Sequence, residues 1–539
     1  MKKYFLFSLI LFSLILFSIG QPITSSNLPI LIIDTEGATI VDEPKVKANL
    51  SVIYQGAGIT NFVTDVPSHY QGPIGIEYRG SSSQFLFDKK GYGIEFRKPD
   101  GLDSSGSVFG FPAEEDWVLN GPYSDKTLIR NILAYHLWEQ TGRYGPRNIP
   151  VELLVNSNYE GVYVWMEKIK RDSNRVAISK LTALENTGDD LTGGYLVKLD
   201  KFDGSNSGGG WASPIEPPRK QRDDQVIYFQ YDYPKGRDIT QSQKAYIETY
   251  VTAFEHALAS PGFKDPLTGY RQYADVSSFI DLALLNEISR NVDGYRLSTF
   301  LQKEKDSKGG KLAVATVWDF NLAFGNANYC EGWNEEGWAW DFNEYCSHDF
   351  WLIPFWWRRF LQDPQYVADL KNRWNTLRTG PFQTDRLLNY IDSMAQVLDE
   401  PQARNFTRWP VLGQWVWPNP EDHIGLTYQQ EIDYLKMWLS ARLDWLDTNI
   451  NLLEAQTPMG LNDGIASLTV YPNPVSQEFR ILSRNSVLDI RLYDMNGRTM
   501  KHWTQAQEGY EVALLKPGLY VLAVRFEDQS EVKYLLRKE

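Results

Sequence analysis

The chain has 539 residues, a net charge of −14 and an aromatic content of 14% that includes 18 Trp. That length can hold two or three domains and a large core. The acidic balance excludes a nucleic-acid partner, because phosphate contacts need clustered Lys and Arg, and the Trp content reads first as burial, with carbohydrate contact second.

Met1-Lys2-Lys3 is a short basic start, and Tyr4 to Ile19 is an apolar run ending in the small residues Ser18-Ile19-Gly20. This pattern predicts a signal peptide over 1–20 with cleavage after Gly20. The alternative, an N-terminal membrane anchor, meets a run slightly short of the ~20 residues that span a bilayer and a Gln21-Pro22 break. No later segment is long and apolar enough to span a membrane, so no transmembrane anchor is expected.

Residues 28–454 read as α+β. Strands are predicted at Leu28 to Asp34, Ile74 to Arg79, Tyr92 to Arg97, Val151 to Val155 and from Gly161 through Lys168. Between them, Leu128, Ile132, Tyr135 and Leu137-Trp138 recur at helical spacing, predicting a helix over Asp125 to Gln140 that stops at Gly142. A second amphipathic helix is predicted over Val276 to Ile288, then strands at Thr299 to Lys303 and Leu312 to Val317. Beyond Asp349 the chain reads as mostly helical, including Pro364 to Leu377 and Tyr428 to Leu453. Strands early and helices late predict two lobes with a ligand cleft between them. Cys330 and Cys346 are the two cysteines. An oxidising compartment would join them, closing a loop of about 15 residues worth ~3 kcal/mol in the loop-entropy account. Zinc is disfavoured, since only His348 lies near and structural sites want four ligands.

After the breaker-rich linker 455–460, residues 461–539 read as a small all-β sandwich. Strands are predicted at Ala466 to Tyr471, Asp489 to Tyr493, Gly518 to Phe526 and Lys533 to Leu536. Tyr471-Pro-Asn-Pro, Leu492-Tyr-Asp-Met-Asn-Gly, Gly518-Leu-Tyr-Val-Leu and the terminal Lys533-Tyr-Leu-Leu-Arg-Lys stand in this order. Together they resemble the C-terminal sorting domain of the type IX secretion system. The resemblance implies the secretion machinery as a partner, a secreted or cell-surface location, and loss of the tail after passage across the outer membrane. An ordinary binding module is the alternative.

The usual hydrolase templates are absent: there is no Gly-x-Ser-x-Gly elbow, no His-Glu-x-x-His helix and no Walker loop. The best constellation lies between Asn286 and Asn326. A helix ends at Asn291-Val-Asp293-Gly294, a hairpin follows, and the hairpin runs into Trp318-Asp319-Phe320-Asn321. Protein kinases place a catalytic Asp before such a hairpin and a metal-holding Asp after it, so that both face one cleft. Asp at strand ends is also a common turn residue. Upstream, Arg79-Gly80-Ser-Ser-Ser83 and Lys89-Lys90 form a small-residue loop with basic residues. Such a loop can cradle phosphates, although alone it equally reads as a turn with solvated lysines.

Arg79-Gly80-Ser-Ser-Ser, Lys89-Lys90 before Tyr92, Asp125-Lys-Thr-Leu-Ile-Arg130-Asn131, Gly161-Val-Tyr-Val-Trp-Met-Glu167, Asn291-Val-Asp293-Gly-Tyr-Arg296 and Trp318-Asp319-Phe320-Asn321 follow one another in an order that resembles the CotH (spore coat protein H) family of atypical kinases. The resemblance covers roughly Leu28 to Leu453 and implies a two-lobed, degenerate protein-kinase-like fold. ATP and Mg or Mn would be the cofactors, and Ser, or Thr, of a Ser-rich protein the acceptor. By motif, Asp293 would be the general base, Asp319 a metal ligand and Asn321 a second one. Lys90 and Arg79 would contact phosphates. Glu167 would orient a basic residue, Lys90 among the candidates, or face the nucleotide, and Arg130 would either buttress the cleft or form a structural ion pair. Two departures stand out: Ser298 occupies the place of the second-metal Asn, and the first helix lacks an early Glu. A catalytically silent surface binder is the alternative, and glycan binding through Trp338, Trp340, Trp351 and Trp356 is a third.

Overall fold

Alternating apolar residues first build a closed barrel. This computed structural model describes residues 23–201, 209–456, 468–471, 473–483, 486–495, 497–505, 507, 509–527 and 531–539. The expected signal peptide and most of the expected linker lie outside the described residues. Strands β1 (Ile30–Asp34), β2 (Val46–Ile53), β3 (Tyr70–Arg79), β4 (Gly91–Phe96) and β5 (Asp116–Asn120) pair antiparallel in chain order. Helix α1 (Arg130–Gln140) intervenes before β6 (Asn148–Val155) and β7 (Asn158–Glu167). β7 pairs with both β5 and β6, and β6 returns parallel to β1, with Ile30 opposite Glu152. That last pairing closes the barrel.

Ile33, Leu50, Ile76, Ile94, Trp117, Leu153, Tyr163 and Trp165 fill the interior. Successive side chains of a strand face opposite ways, so Val162, Val164 and Met166 of β7 point outward into a second core beneath α1. β7 is therefore buried on both faces from Val162 to Met166.

The second core belongs to a sheet and its helices. Strands β8 (Tyr195–Leu199), β9 (Gly210–Ala212), β10 (Tyr228–Tyr233), β11 (Thr299–Lys303) and β12 (Leu312–Thr316) form an antiparallel sheet in the order β9-β10-β8-β11-β12. Leu199 lies opposite Thr299 and Phe300 opposite Thr316. One end of the sheet thus gathers the segments that follow β8, precede β11 and follow β12.

Helices α2 (Gln241–Ala259), α3 (Val276–Ser289), α4 (Pro364–Arg378), α5 (Thr384–Arg408) and α6 (Tyr428–Leu452) complete this body. Their starts follow local chemistry. Thr240 and Gln243 form a capping box on α2, and Asp363 caps α4 ahead of Pro364. Helix α1 begins at Arg130 rather than at Asp125 as expected, because the Asp125 carboxylate accepts from Thr127 N at 3.1 Å and Arg130 N at 2.9 Å and holds a turn there.

The tail carries two small sheets around one core. One contains Leu468–Tyr471, Glu478–Ser483 and Tyr510–Glu511, and the other Val487–Asp494, Thr499–Trp503, Gly518–Phe526 and Glu531–Lys538. Phe479, Ile490, Leu492, Leu522, Val524 and Leu536 lie in the core they share. The expected α+β class, with a β-rich C-terminal region, is the class observed.

Cys330 and Cys346 are joined, with Cα atoms 5.6 Å apart. The Trp-rich stretch is chiefly core: Trp340, Trp356 and Trp357 are buried, and Trp338 stacks on Trp340 at 4.2 Å. Of the four rings expected to meet a glycan, Trp338 and Trp351 keep some exposure. Trp351 is partly accessible and lies beside the cleft described next.

Candidate active site

Both acidic motif residues emerge at the sheet end defined above. Asp293 sits between α3 and β11, and Asp319 follows β12. The connecting backbone is unusual: Arg290, Tyr295, Ser298, Asp319 and Phe324 all have positive φ, 65° at Asp319. Non-glycine residues in this region cost free energy and persist where the surroundings enforce them, commonly at functional sites. Gly294 is needed for space, since a Cβ there would lie 2.8 Å from the Asn286 side chain and 2.9 Å from the Asn291 carbonyl.

Side chains pin the Asp319 peptide on every side. Tyr135 Oη accepts from Asp319 N at 3.4 Å, and Asn131 Oδ1 accepts from Phe320 N at 2.6 Å. These two residues lie one turn apart on α1. Asn291 Nδ2 donates to the Asp319 carbonyl at 3.3 Å, while Asn291 Oδ1 accepts from Asp293 N at 3.1 Å. One buried amide therefore clasps the two acidic segments together. The Asn321 carbonyl is held in turn by Asn326 Nδ2 at 2.7 Å.

Charge is arranged around the same point. Burial, then the neighbouring Asp293 charge, pushes the Asp319 carboxyl up to about 6; Asp200 acts in the same sense, and Lys201 and Arg79 oppose it. Asp293 Oδ1 accepts from Arg296 Nη2 at 2.9 Å. Arg296 is itself fixed by Asp349 Oδ1 and the Trp351 carbonyl, each at 2.9 Å, and lies 4.1 Å over the Phe342 ring. Arg79 leaves the end of β3 with its guanidinium 5.0 Å over Trp318. The turn after it requires Gly80, whose φ is +116° and whose Cβ would fall 2.1 Å from Ser83 Oγ.

Other expected residues lie elsewhere. Lys90 Nζ donates to the carbonyls of Gln84 at 2.7 Å and Phe87 at 2.5 Å, so it ties down its own loop. Lys89 is buried between the Val162 carbonyl and Asn405 Oδ1 of α5. Glu167 is fully buried and meets Arg147 Nη1 at 2.8 Å, Tyr144 Oη at 3.0 Å and Arg175 Nε at 3.5 Å. It does not meet Lys90, because the register sets Glu167 opposite Trp117 and Trp117 opposite Ile94, along the strand from Lys90. Arg130 is both an ion pair and a buttress: Nη1 donates to Asp125 Oδ1 at 2.7 Å, and Nη2 to the Phe324 carbonyl behind Asp319 at 3.4 Å.

Sequence reasoning missed Asp200 and Lys201, which reach the site from the end of β8, and the clasp role of Asn291. A further acidic group, Glu114 to Asp116, is bridged by Lys170 at 3.0, 2.5 and 3.0 Å.

Paired carboxylates thus stand at one sheet end with cations facing them, and the family to which the chain belongs gives them their context. The chain belongs to the CotH kinase protein family, which matches residues 76–446. Residues 469–538 match the secretion system C-terminal sorting domain, of the type IX kind. The protein is accordingly an atypical-kinase-family member that is secreted or held at the cell surface. No helix among the described residues is long and apolar enough to cross a membrane. No curated protein matches the chain.

Proposed function

We propose that the protein is an exported kinase that transfers the γ-phosphate of ATP to Ser, or Thr, of a protein substrate. The observation that carries this reading is the clasped pair Asp293 and Asp319, brought to one sheet end with Arg79 beside them. The donor set is all oxygen, which suits Mg or Mn rather than a softer metal. Asp319, with Asn321 as a candidate second ligand, would hold that ion, which would supply charge neutralisation between the phosphates. Burial, and then the Asp293 charge, raises the Asp319 carboxyl to about 6, as fits a buried anionic oxygen beside a second one and without a cation.

Asp293 has the other task. Arg296 occupies its Oδ1, and we assign Oδ2 to the acceptor hydroxyl, which it orients and whose proton it accepts as the oxygen attacks phosphorus. Arg79 neutralises phosphate charge from the barrel side of the cleft. The barrel and the helical body would then be the two lobes of a degenerate kinase fold spanning residues 28–454.

The test is transfer of labelled phosphate from ATP to the protein itself or to a Ser-rich protein. Asp293→Asn should retain nucleotide binding while transfer falls by on the order of 10²- to 10⁴-fold. Equal transfer by Asp293→Asn and wild type would remove Asp293 from the reaction. A second reading, a silent surface binder built on the same fold, is favoured by Ser298 in place of the second-metal Asn and by an extracellular destination where ATP is scarce. Nucleotide binding with no transfer by wild type would select it.

A further inference from the structure

Lys90, the lysine that motif order points to, has its ammonium committed to two carbonyls of its own loop. A different lysine occupies the cleft. β8 is the middle strand of the five-stranded sheet, and because Leu199 lies opposite Thr299 its chain leaves the sheet beside the Asp293 segment. The two residues that leave are Asp200 and Lys201. Their backbone is anchored: Gln230 Nε2 donates to the Asp200 carbonyl at 2.6 Å and to the Lys201 carbonyl at 3.3 Å, and Asp200 Oδ1 accepts from Lys201 N at 2.9 Å.

From this fixed base the Lys201 side chain crosses toward the barrel. Its Nζ donates to Ser82 Oγ in the Arg79–Ser83 turn at 3.4 Å, and it lies 5.5 Å from the centre of the Trp351 ring. It is half-buried, and its charge is felt at Asp319. The ammonium is thus set between the small-residue turn of the barrel and the carboxylate end of the sheet. The long contact to Ser82 is one that a phosphate oxygen could readily replace, since an ammonium–phosphate bond is charge-assisted on both sides.

We infer that Lys201 is the phosphate-binding lysine of the cleft, joining the sheet to the Arg79–Ser83 turn through the β- or γ-phosphate of the nucleotide. This rests on the proposed kinase reading and assigns a role in it that motif order had given to Lys90. Arg79 and Lys201 then approach the phosphates from the barrel and from the sheet, with Asp319 between them, so the cleft can tell a nucleoside triphosphate from a nucleoside.

The experiment uses the full chain and titrates ATP, and separately adenosine, in the presence of Mn²⁺. The proteins are wild type, Lys201→Met, Lys201→Arg and Lys90→Met, with thermal unfolding recorded for each. Lys201→Met should weaken ATP binding by about tenfold to a hundredfold, the range for losing a hydrogen bond to a charged group. Adenosine binding and melting should stay close to wild type, Lys201→Arg should recover most of the loss, and Lys90→Met, which only loosens the loop after the Arg79–Ser83 turn, should weaken ATP binding less than Lys201→Met does. ATP affinity unchanged in Lys201→Met, or ATP and adenosine weakened alike, overturns the assignment while leaving the kinase reading in place. Wild type that binds no ATP at all overturns both.

Discussion

Asp319 is held by its surroundings in a state that a free aspartate would not choose, with positive φ and a carboxyl raised to about 6. The raised value comes first from burial and then from Asp293, and it has a consequence for stability in the absence of metal. A carboxyl whose folded-state pKa exceeds its ordinary value makes the folded protein bind more protons than the unfolded chain between the two values. Stability from this group therefore falls as pH rises from about 4 to about 6, and the whole penalty is present above that. Asp319→Asn removes the penalty and should melt higher than wild type at about pH 7.5 in chelator, with no gain near about pH 4. The full shift would correspond to at most ~3 kcal/mol, and partial exposure screens this to ~1 kcal/mol. An identical melting difference at both pH values would contradict the account. Lys90 marks the limit of reading single residues from sequence. Its charge and its place near a small-residue loop were legible, but the carbonyls that consume its ammonium are set by how that loop folds.

The hairpin of β11 and β12 was legible because its strands are short, apolar and divided by a Lys/Gly turn, and Asp293 and Asp319 could be placed at its ends for the same reason. β8 was not, since Tyr195-Leu-Val-Lys-Leu is buried along its whole length and gives no alternation to read. Its partner β11 lies about a hundred residues onward, so nothing local announces that Lys201 will stand beside Asp293. Barrel closure was equally hidden, for the parallel pairing of β1 with β6 joins segments far apart in the chain. Between elements, Asn291 acts as a clasp: it is 5% exposed and links the end of α3 to the end of β12. Asn291→Asp keeps the acceptor for Asp293 N but loses the donor to the Asp319 carbonyl and brings a third charge toward two carboxylates. It should lower unfolding stability by about 1–3 kcal/mol, the cost of a buried group left unsatisfied. Chemical denaturation with an unchanged midpoint would show that the two segments hold together without it. The disulfide adds support from the other side: it precedes Asp349 and Trp351, which fix Arg296, and its loop entropy is worth ~3 kcal/mol.

At the scale of the whole molecule, an acidic chain that carries a type IX sorting domain is secreted or held at the cell surface, and we propose the CotH region as the part delivered. We expect the surface form to begin near Gln21 and to lack most of the sequence after Leu461. Mass spectrometry of surface material that finds an intact terminus from Lys533 to Glu539 would contradict removal of the tail. The sorting motifs were readable because each is a short run in which a few residues carry the signal. The cleft was only partly readable because it is assembled from β3, α1, β8, the β11–β12 hairpin and the Arg296–Trp351 contacts. What the delivered part does turns on whether its two clasped carboxylates serve a metal and a nucleotide. The most direct measurement is calorimetric titration of ATP into the protein with Mg²⁺ or Mn²⁺, comparing wild type with Asp319→Ala. The account predicts saturable, metal-dependent binding by wild type that is abolished in a folded Asp319→Ala protein, because phosphate charge is then left without its ion. Wild type that binds no ATP with either metal, or Asp319→Ala that binds it as well as wild type does, would contradict it.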